Sequence, residues 1–410
     1  MFMNARRLWH WGPDTRYYLA MTYRYSGLSE HEAGRRTFEY LGRYSWFKDY
    51  CYFACDPNSP DATFGHLFHG EVGDMVATRV VYPLLSVPFV WLLGPRGMLV
   101  VPFLAFTACV VLLMAFVSRT VGRNWSVLAA AMLIVPTTVS AYAIYTYTES
   151  LAMFLVMACI MVLPLARSAS RRDVVIFSVL LLLLALTRQF HPVVVAGVVL
   201  AWLGVAVFQR RLRNEWLPFA GASVAVMAVA GVIQSLVGPG YSILTTFKTM
   251  TGANSVSDIP VAAVKVAVRL ATQEFWDIGA DIPLAVICAA AVIAVIYRFR
   301  SPLALVTLGT VLGSFALNVL NTEPSHFRYY ITAYPFIAIA AVAVIADLVQ
   351  RSKPSVFGGP VGGDVGGDVG GDVGGDVGGD VGGNGADLPA INLAVKTRRL
   401  PETEGVTGAR

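Results

Sequence analysis

The sequence predicts an all-α polytopic membrane protein, a bundle of about nine to ten transmembrane helices with juxtamembrane helices on its outer face. Three observations carry that prediction. Hydrophobic residues make up 56% of the 410, and the mean hydropathy is +0.61. Charged residues are only 14%, against about 25% in a soluble domain, too few to cover a water-facing surface of this size. Apolar runs of about 20 residues, the length that crosses a bilayer, recur through the middle of the chain. A soluble enzyme, a nucleic-acid-binding module and a disulfide-stapled secreted domain are thereby excluded. The formal net charge of +5 comes from arginines in short loops, so it reports on topology rather than on an acidic partner.

Long uncharged stretches predict spans at 98–117, 125–146, 150–166, 174–187, 190–208, 216–237, 282–297, 302–320 and 329–347. The loops between them alternate in basic content. One set holds Arg119, Arg123, Arg167, Arg171, Arg172, Arg210, Arg211, Arg213, Arg298, Arg300, Arg351 and Lys353; the other short loops hold Arg188 and Arg328. Basic loops stay in the cytoplasm. Residues 1–97, the turn at Glu149, the segment Arg188–His191, the loop 238–280 and the segment Asn321–Arg328 therefore face outward, and the carboxyl terminus faces the cytoplasm of a bacterial-type plasma membrane.

This divides the chain into a first outer loop (1–97), a transmembrane bundle (98–350) and a tail (351–410). An outward amino segment needs a preceding signal or span, which Met1 to Trp11 does not supply. The expectation is a helix upstream of Met1; the alternative is a crossing at 80–94. In the tail, VGGD repeats five times from Val361 to Asp380. Such sequence buries too little surface to offset its ordering entropy, and its period of four matches no calcium-binding repeat. Of five cysteines, Cys109, Cys159 and Cys288 lie in apolar runs as small hydrophobes, and Cys51 and Cys55 are spaced for a disulfide in an oxidising compartment.

The spans from 98 to 320 contain no Asp, Glu, Lys or Arg. Proton-coupled transporters are built around intramembrane charges, so their absence weighs against one. The chemistry-bearing residues gather outside. Asp14, ahead of Tyr17 and Tyr18, is either a helix N-cap or a general base. Arg79, in Thr78-Arg79-Val-Val-Tyr82-Pro83, either snorkels to the headgroups or binds a lipid phosphate with its planar fork. Glu149, between Tyr147 and Ser150, is a helix-start acid in an aromatic belt or a functional carboxylate.

Arg188, beside His191, and Arg328, beside Tyr329, are cations placed against the topological trend. They are interfacial anchors or ligands for an anion. Lys265, Arg269 and Gln273 form one stripe of a helix at 259–276 with apolar residues elsewhere, an interfacial helix that either anchors or guides an anionic lipid. His66, His69, Glu71 and Asp74 match no tight zinc spacing.

Taken in order, these pieces resemble the GT-C membrane glycosyltransferases, in the bacterial mannosyltransferase-like and GPI-mannosyltransferase-like branch. The resemblance covers about residues 10–350. It rests on the acidic first outer loop at Asp14, the Arg-x-x-Tyr-Pro-Leu-Leu helix from Arg79 to Gly94, YTESL from Tyr147, ALTR ending at Arg188, and FRYYITAYP from Phe327. It implies a GT-C-like bundle and an inverting transfer of a sugar, mannose-type or another, from a polyprenyl-phosphate donor to a glycan, lipid or protein acceptor. Asp14 would take the acceptor proton. Arg188, Arg328 and Arg79 would stabilise the phosphate, and Tyr82, His191, Tyr329, Lys265 and Arg269 would line the donor's path. Glu149 would orient the acceptor or a divalent cation, the one cofactor left open. Family members carry a helix before the acidic loop and often a second acid within it; here only Asp14 stands at that place. The competing expectation is a non-catalytic facilitator or scaffold.

Overall fold

The computed structural model describes residues 14–44, 64, 67–165, 167–238, 242–253, 255–322 and 325–352, and these are all-helical, without a strand. These described residues form one compact unit. Cys51, Cys55, His66 and the VGGD tail lie outside the described residues.

The amino-terminal part holds α1 (Thr15–Tyr25), α2 (Glu30–Leu41), α3 (Gly70–Ala77) and α4 (Val81–Leu93). Ser29 caps α2 by accepting from the Glu32 amide at 3.2 Å, and Gly27 takes the left-handed φ of +93° that the α1–α2 turn needs. His69 bonds Glu30 at 3.1 Å. From α4, a 3-10 turn at Gly94–Leu99 leads into α5 (Val100–Thr120), and the two make one apolar run, Val81–Thr120. Gly97 is required there: a Cβ would sit 2.1 Å from the Phe89 carbonyl oxygen.

Two predicted spans are broken by proline. The stretch 125–146 is α6 (Arg123–Ile134), then a 73° bend into short turns over Thr137–Ala143. Pro136 lacks the amide that would continue the helix and sits extended at ψ 119°. The stretch 150–166 is the shorter α7 (Glu149–Val162). Leu163 is extended at ψ 149° because the following Pro164 disfavours its helical conformation.

The chain continues through α8 (Arg171–Thr187), α9 (His191–Phe208), α10 (Arg213–Val237), α11 (Ile243–Thr251), α12 (Ile259–Ala280), α13 (Ile282–Tyr297), α14 (Pro302–Asn321) and α15 (Tyr334–Ser352). Ser170 and Asp173 form a capping box at the start of α8. The α9–α14 contact is built on small residues: a Cβ on Gly309 would lie 2.7 Å from the Ala196 carbonyl oxygen, and one on Gly197 would lie 2.5 Å from Thr310. Such residues let helix backbones approach closely in lipid.

The predicted interfacial helix is α12, which turns by 117° into α13. Asp281 holds that corner, capping Leu284 and accepting from the Thr138 amide at 2.9 Å. It thereby ties the corner to the bend after Pro136. The last helix starts at Tyr334 rather than 329, behind a 3-10 turn at Arg328–Tyr330.

By length and composition, five helices among the described residues can cross a membrane: Val81–Thr120, His191–Phe208, Arg210–Val237, Pro302–Asn321 and Tyr334–Arg351. Counting each bent pair as one span gives seven, and the two missing from the predicted nine are α7 and α8, of 14 and 17 residues. This is consistent with a multi-pass membrane protein.

Candidate functional site

Four charged residues from distant parts of the sequence meet at one end of the bundle. Asp14 precedes α1, Glu149 opens α7, Arg188 follows α8, and Arg328 sits in the turn before α15. Arg328 is the bridge: its Nε donates to Glu149 Oε1, and its Nη2 donates to Asp14 Oδ2 at 2.5 Å. Arg188 Nη1 donates to the same Glu149 oxygen and to Thr148 Oγ1 at 3.4 Å. Asp14 occupies the N-cap position of α1 but its side chain caps nothing; its carboxylate is turned to the guanidinium instead.

The local folding explains the convergence. Thr15 and Thr146 share a hydrogen bond of 2.6 Å, tying the start of α1 to the turn before Glu149. Ser150 donates to the Tyr142 carbonyl at 2.6 Å, closing that turn. Aromatic faces shield the cations. The Arg188 guanidinium carbon is 4.5 Å from the Phe190 ring centre and 5.9 Å from that of Tyr329, and Arg328 is 4.5 Å from that of Tyr147. Each contact adds cation–π attraction.

Arg79 is 6% exposed and donates to the Tyr18 hydroxyl at 2.9 Å, so it is packed inside the protein and does not snorkel. Tyr18 stands edge-on to Tyr82 at 5.2 Å. The Tyr82 hydroxyl is spent on the Met98 carbonyl at 3.0 Å, which makes Tyr82 a support for Tyr18 rather than a hand for a ligand. Lys265 and Arg269 are not brought to this cluster. They line a separate cleft of about 470 Å³ between α11 and α12, with Arg269 donating to the Thr322 carbonyl at 2.5 Å.

Three guanidiniums, of Arg79, Arg188 and Arg328, face two carboxylates, which leaves one positive charge in excess. Glu149 is fully buried and Arg188 is 4% exposed. Buried polar atoms without a partner include Arg79 Nε and Glu149 Oε2 within the cluster, and Gln189 Nε2 and His191 Nδ1 on the residues just after Arg188 in the chain. Buried polar atoms are nearly always hydrogen-bonded, so an orphaned set beside excess positive charge is a feature of a binding site. Burial raises the Asp14 carboxyl, but Arg328, Arg79 and Arg188 outweigh it and hold that group well below the usual carboxylate range. Asp14 is therefore ionised throughout the physiological range.

A divalent cation at Glu149 does not fit this donor set. One carboxylate oxygen is already shared by two guanidiniums, and no group of three His, Cys, Asp or Glu residues suited to a metal occurs among the described residues. Glu274 lies within the predicted interfacial helix 259–276 but off its Lys265, Arg269 and Gln273 stripe, on the side read as apolar; it is 3% exposed and anchors the loop before Arg328. Its signal in the sequence is an acid in the buried series Val266, Leu270, Glu274, spaced by four.

No family model, curated protein or solved structure matches the chain.

Proposed function

We propose that the protein is a GT-C-like membrane glycosyltransferase that moves a sugar from a polyprenyl phosphate to an acceptor at the outer membrane surface. The observation that carries the reading is the cluster of three arginines against two carboxylates, in which Arg79, Glu149 and Arg188 are buried and Arg328 and Asp14 are partly exposed, at one end of a bundle of apolar helices. A lipid-phosphate donor requires fixed cations beside an apolar groove, and bidentate guanidiniums suit a phosphate.

In this reading the acceptor hydroxyl attacks the anomeric carbon of the donor. A new carbon–oxygen bond forms as the bond to the phosphate oxygen breaks, and the polyprenyl phosphate leaves with the bonding pair. The hydroxyl proton passes to Asp14. Arg188 and Arg328 balance the charge gathering on the leaving phosphate. A carboxylate pinned by Arg328 is a poor base. Phosphate arrival offers Arg328 a competing partner, and its release from Asp14 raises the basicity of that carboxylate when the substrate is in place.

The test uses purified full-length protein, defined polyprenyl-phosphate sugars and a membrane acceptor fraction. Wild type transfers the sugar, and Asp14→Asn loses transfer by about 100-fold or more, the range for removing general acid–base help, with unchanged expression. Transfer undiminished in Asp14→Asn removes Asp14 from the reaction. No transfer by wild type from any such donor removes the reading.

A further inference from the structure

We infer that Glu274 is a positioning residue for Arg328, acting through a clamp that α12 places on Thr322 and on the turn from Ser325 to Arg328. The loop needs external support. Thr322, His326 and Phe327 all have left-handed backbone, at φ of 58°, 48° and 68°, and none is glycine. Side chains disfavour that region, and residues held there persist only when their surroundings enforce it.

Helix α12 supplies the enforcement at three points. Arg269 donates to the Thr322 carbonyl at 2.5 Å. Asp277 pairs with His326 at 3.0 Å. Between them, the buried Glu274 carboxylate accepts four hydrogen bonds. Its Oε1 takes the Ser325 amide and Asn318 Nδ2, each at 3.2 Å, and the Ser325 hydroxyl; its Oε2 takes the Phe327 amide at 2.9 Å. Backbone amides converging in a left-handed turn form a concavity that suits an anion, and here a side chain of the protein fills it.

The consequence falls on the next residue. Phe327, locked by Glu274 and stacked on Tyr330 at 5.6 Å, fixes where Arg328 leaves the backbone. From there one guanidinium reaches both Asp14 and Glu149. In Glu274→Gln an amide nitrogen replaces one acceptor and meets a donor, so the loop loses its anion and Arg328 loses its aim. Glu274 touches neither carboxylate. The inference rests on the charged cluster being the working site, but its test reads the Asp14 carboxyl rather than sugar transfer. A protein that transfers nothing can still pass it.

The experiment is carbodiimide labelling of the full-length protein in detergent micelles at pH 4 to 7, with modification at Asp14 quantified by peptide mass spectrometry. Carbodiimides attack the protonated carboxyl. Asp173, clamped by Arg167 at the opposite end of α8, reports retained fold. Arg328→Gln frees Asp14 directly, and Glu274→Gln reproduces that rise, about tenfold in labelling for each unit by which the carboxyl pKa climbs, with Asp173 unmoved. Ser325→Ala removes one donor to Glu274 and gives a smaller rise in the same direction. The inference is overturned if Glu274→Gln keeps Asp173 protected and leaves Asp14 at the wild-type level. It is also overturned if Arg328→Gln itself leaves Asp14 unchanged. Should Glu274→Gln expose Asp173 as well, Ser325→Ala decides: a rise confined to Asp14 upholds the clamp, and no rise ends it.

Discussion

Glu149 is the residue on which the cluster turns, because two guanidiniums share one of its oxygens inside the protein. Breaking a buried ion pair leaves an uncompensated charge and costs about 3–5 kcal/mol. Glu149→Ala leaves the buried Arg188 without a carboxylate and Arg328 with Asp14 alone, so it should lower the melting temperature far more than Lys265→Ala, which removes an exposed cation in the other cleft. Asp14 predicts a pH effect of definite sign. Its folded pKa is depressed, so its contribution is complete above the unfolded carboxylate value of about 3.9 and is lost as pH falls below that toward the folded value. Melting temperatures between pH 6 and 3 should fall more steeply for wild type than for Asp14→Asn; parallel slopes would contradict the pairing with Arg328.

Much of this site was legible at the same scale. Arg188 and Arg328 stood out as cations placed against the charge alternation, and Glu149 as a carboxylate in a tight aromatic turn. Glu274 was not legible from composition. Lys265, Arg269 and Gln273 defined the polar stripe of α12, and the acid fell in what remained as the apolar side. Its partners are backbone amides of a loop whose left-handed residues carry no glycine to announce them.

At the scale of elements, hydropathy found the helices but ran through their breaks. Pro136 and Pro164 stand in plain view in the sequence, yet the apolar residues around them continue, and a window average does not register a missing amide. The charge alternation was the stronger guide to arrangement. It grouped the turn at Glu149, the end of α8 and the loop before α15, and those three meet around Glu149. The α9–α14 contact carries its own prediction. Gly309→Leu drives a side chain into the Ala196 backbone. Overpacking of this kind costs about 1–3 kcal/mol or more, and no rotamer escapes a backbone neighbour. Size-exclusion profiles and melting curves should show a destabilised or aggregated protein, whereas Gly221→Ala, on a helix face with open space around it, should behave as wild type.

For the whole molecule, transfer at the outer surface requires the charged cluster to stand on the outer side of the membrane and the arginine-rich loops on the inner side. The most direct measurement is cysteine accessibility in intact spheroplasts, in a background with all five native cysteines replaced. Ile144→Cys and His326→Cys are exposed positions in the segments that lead to Glu149 and Arg328, and Ser168→Cys and Arg211→Cys lie in the basic loops. A membrane-impermeant maleimide should modify the first pair from outside and the second pair only after permeabilisation. Modification of 144 and 326 from opposite sides, or of 168 and 211 from outside, would contradict it.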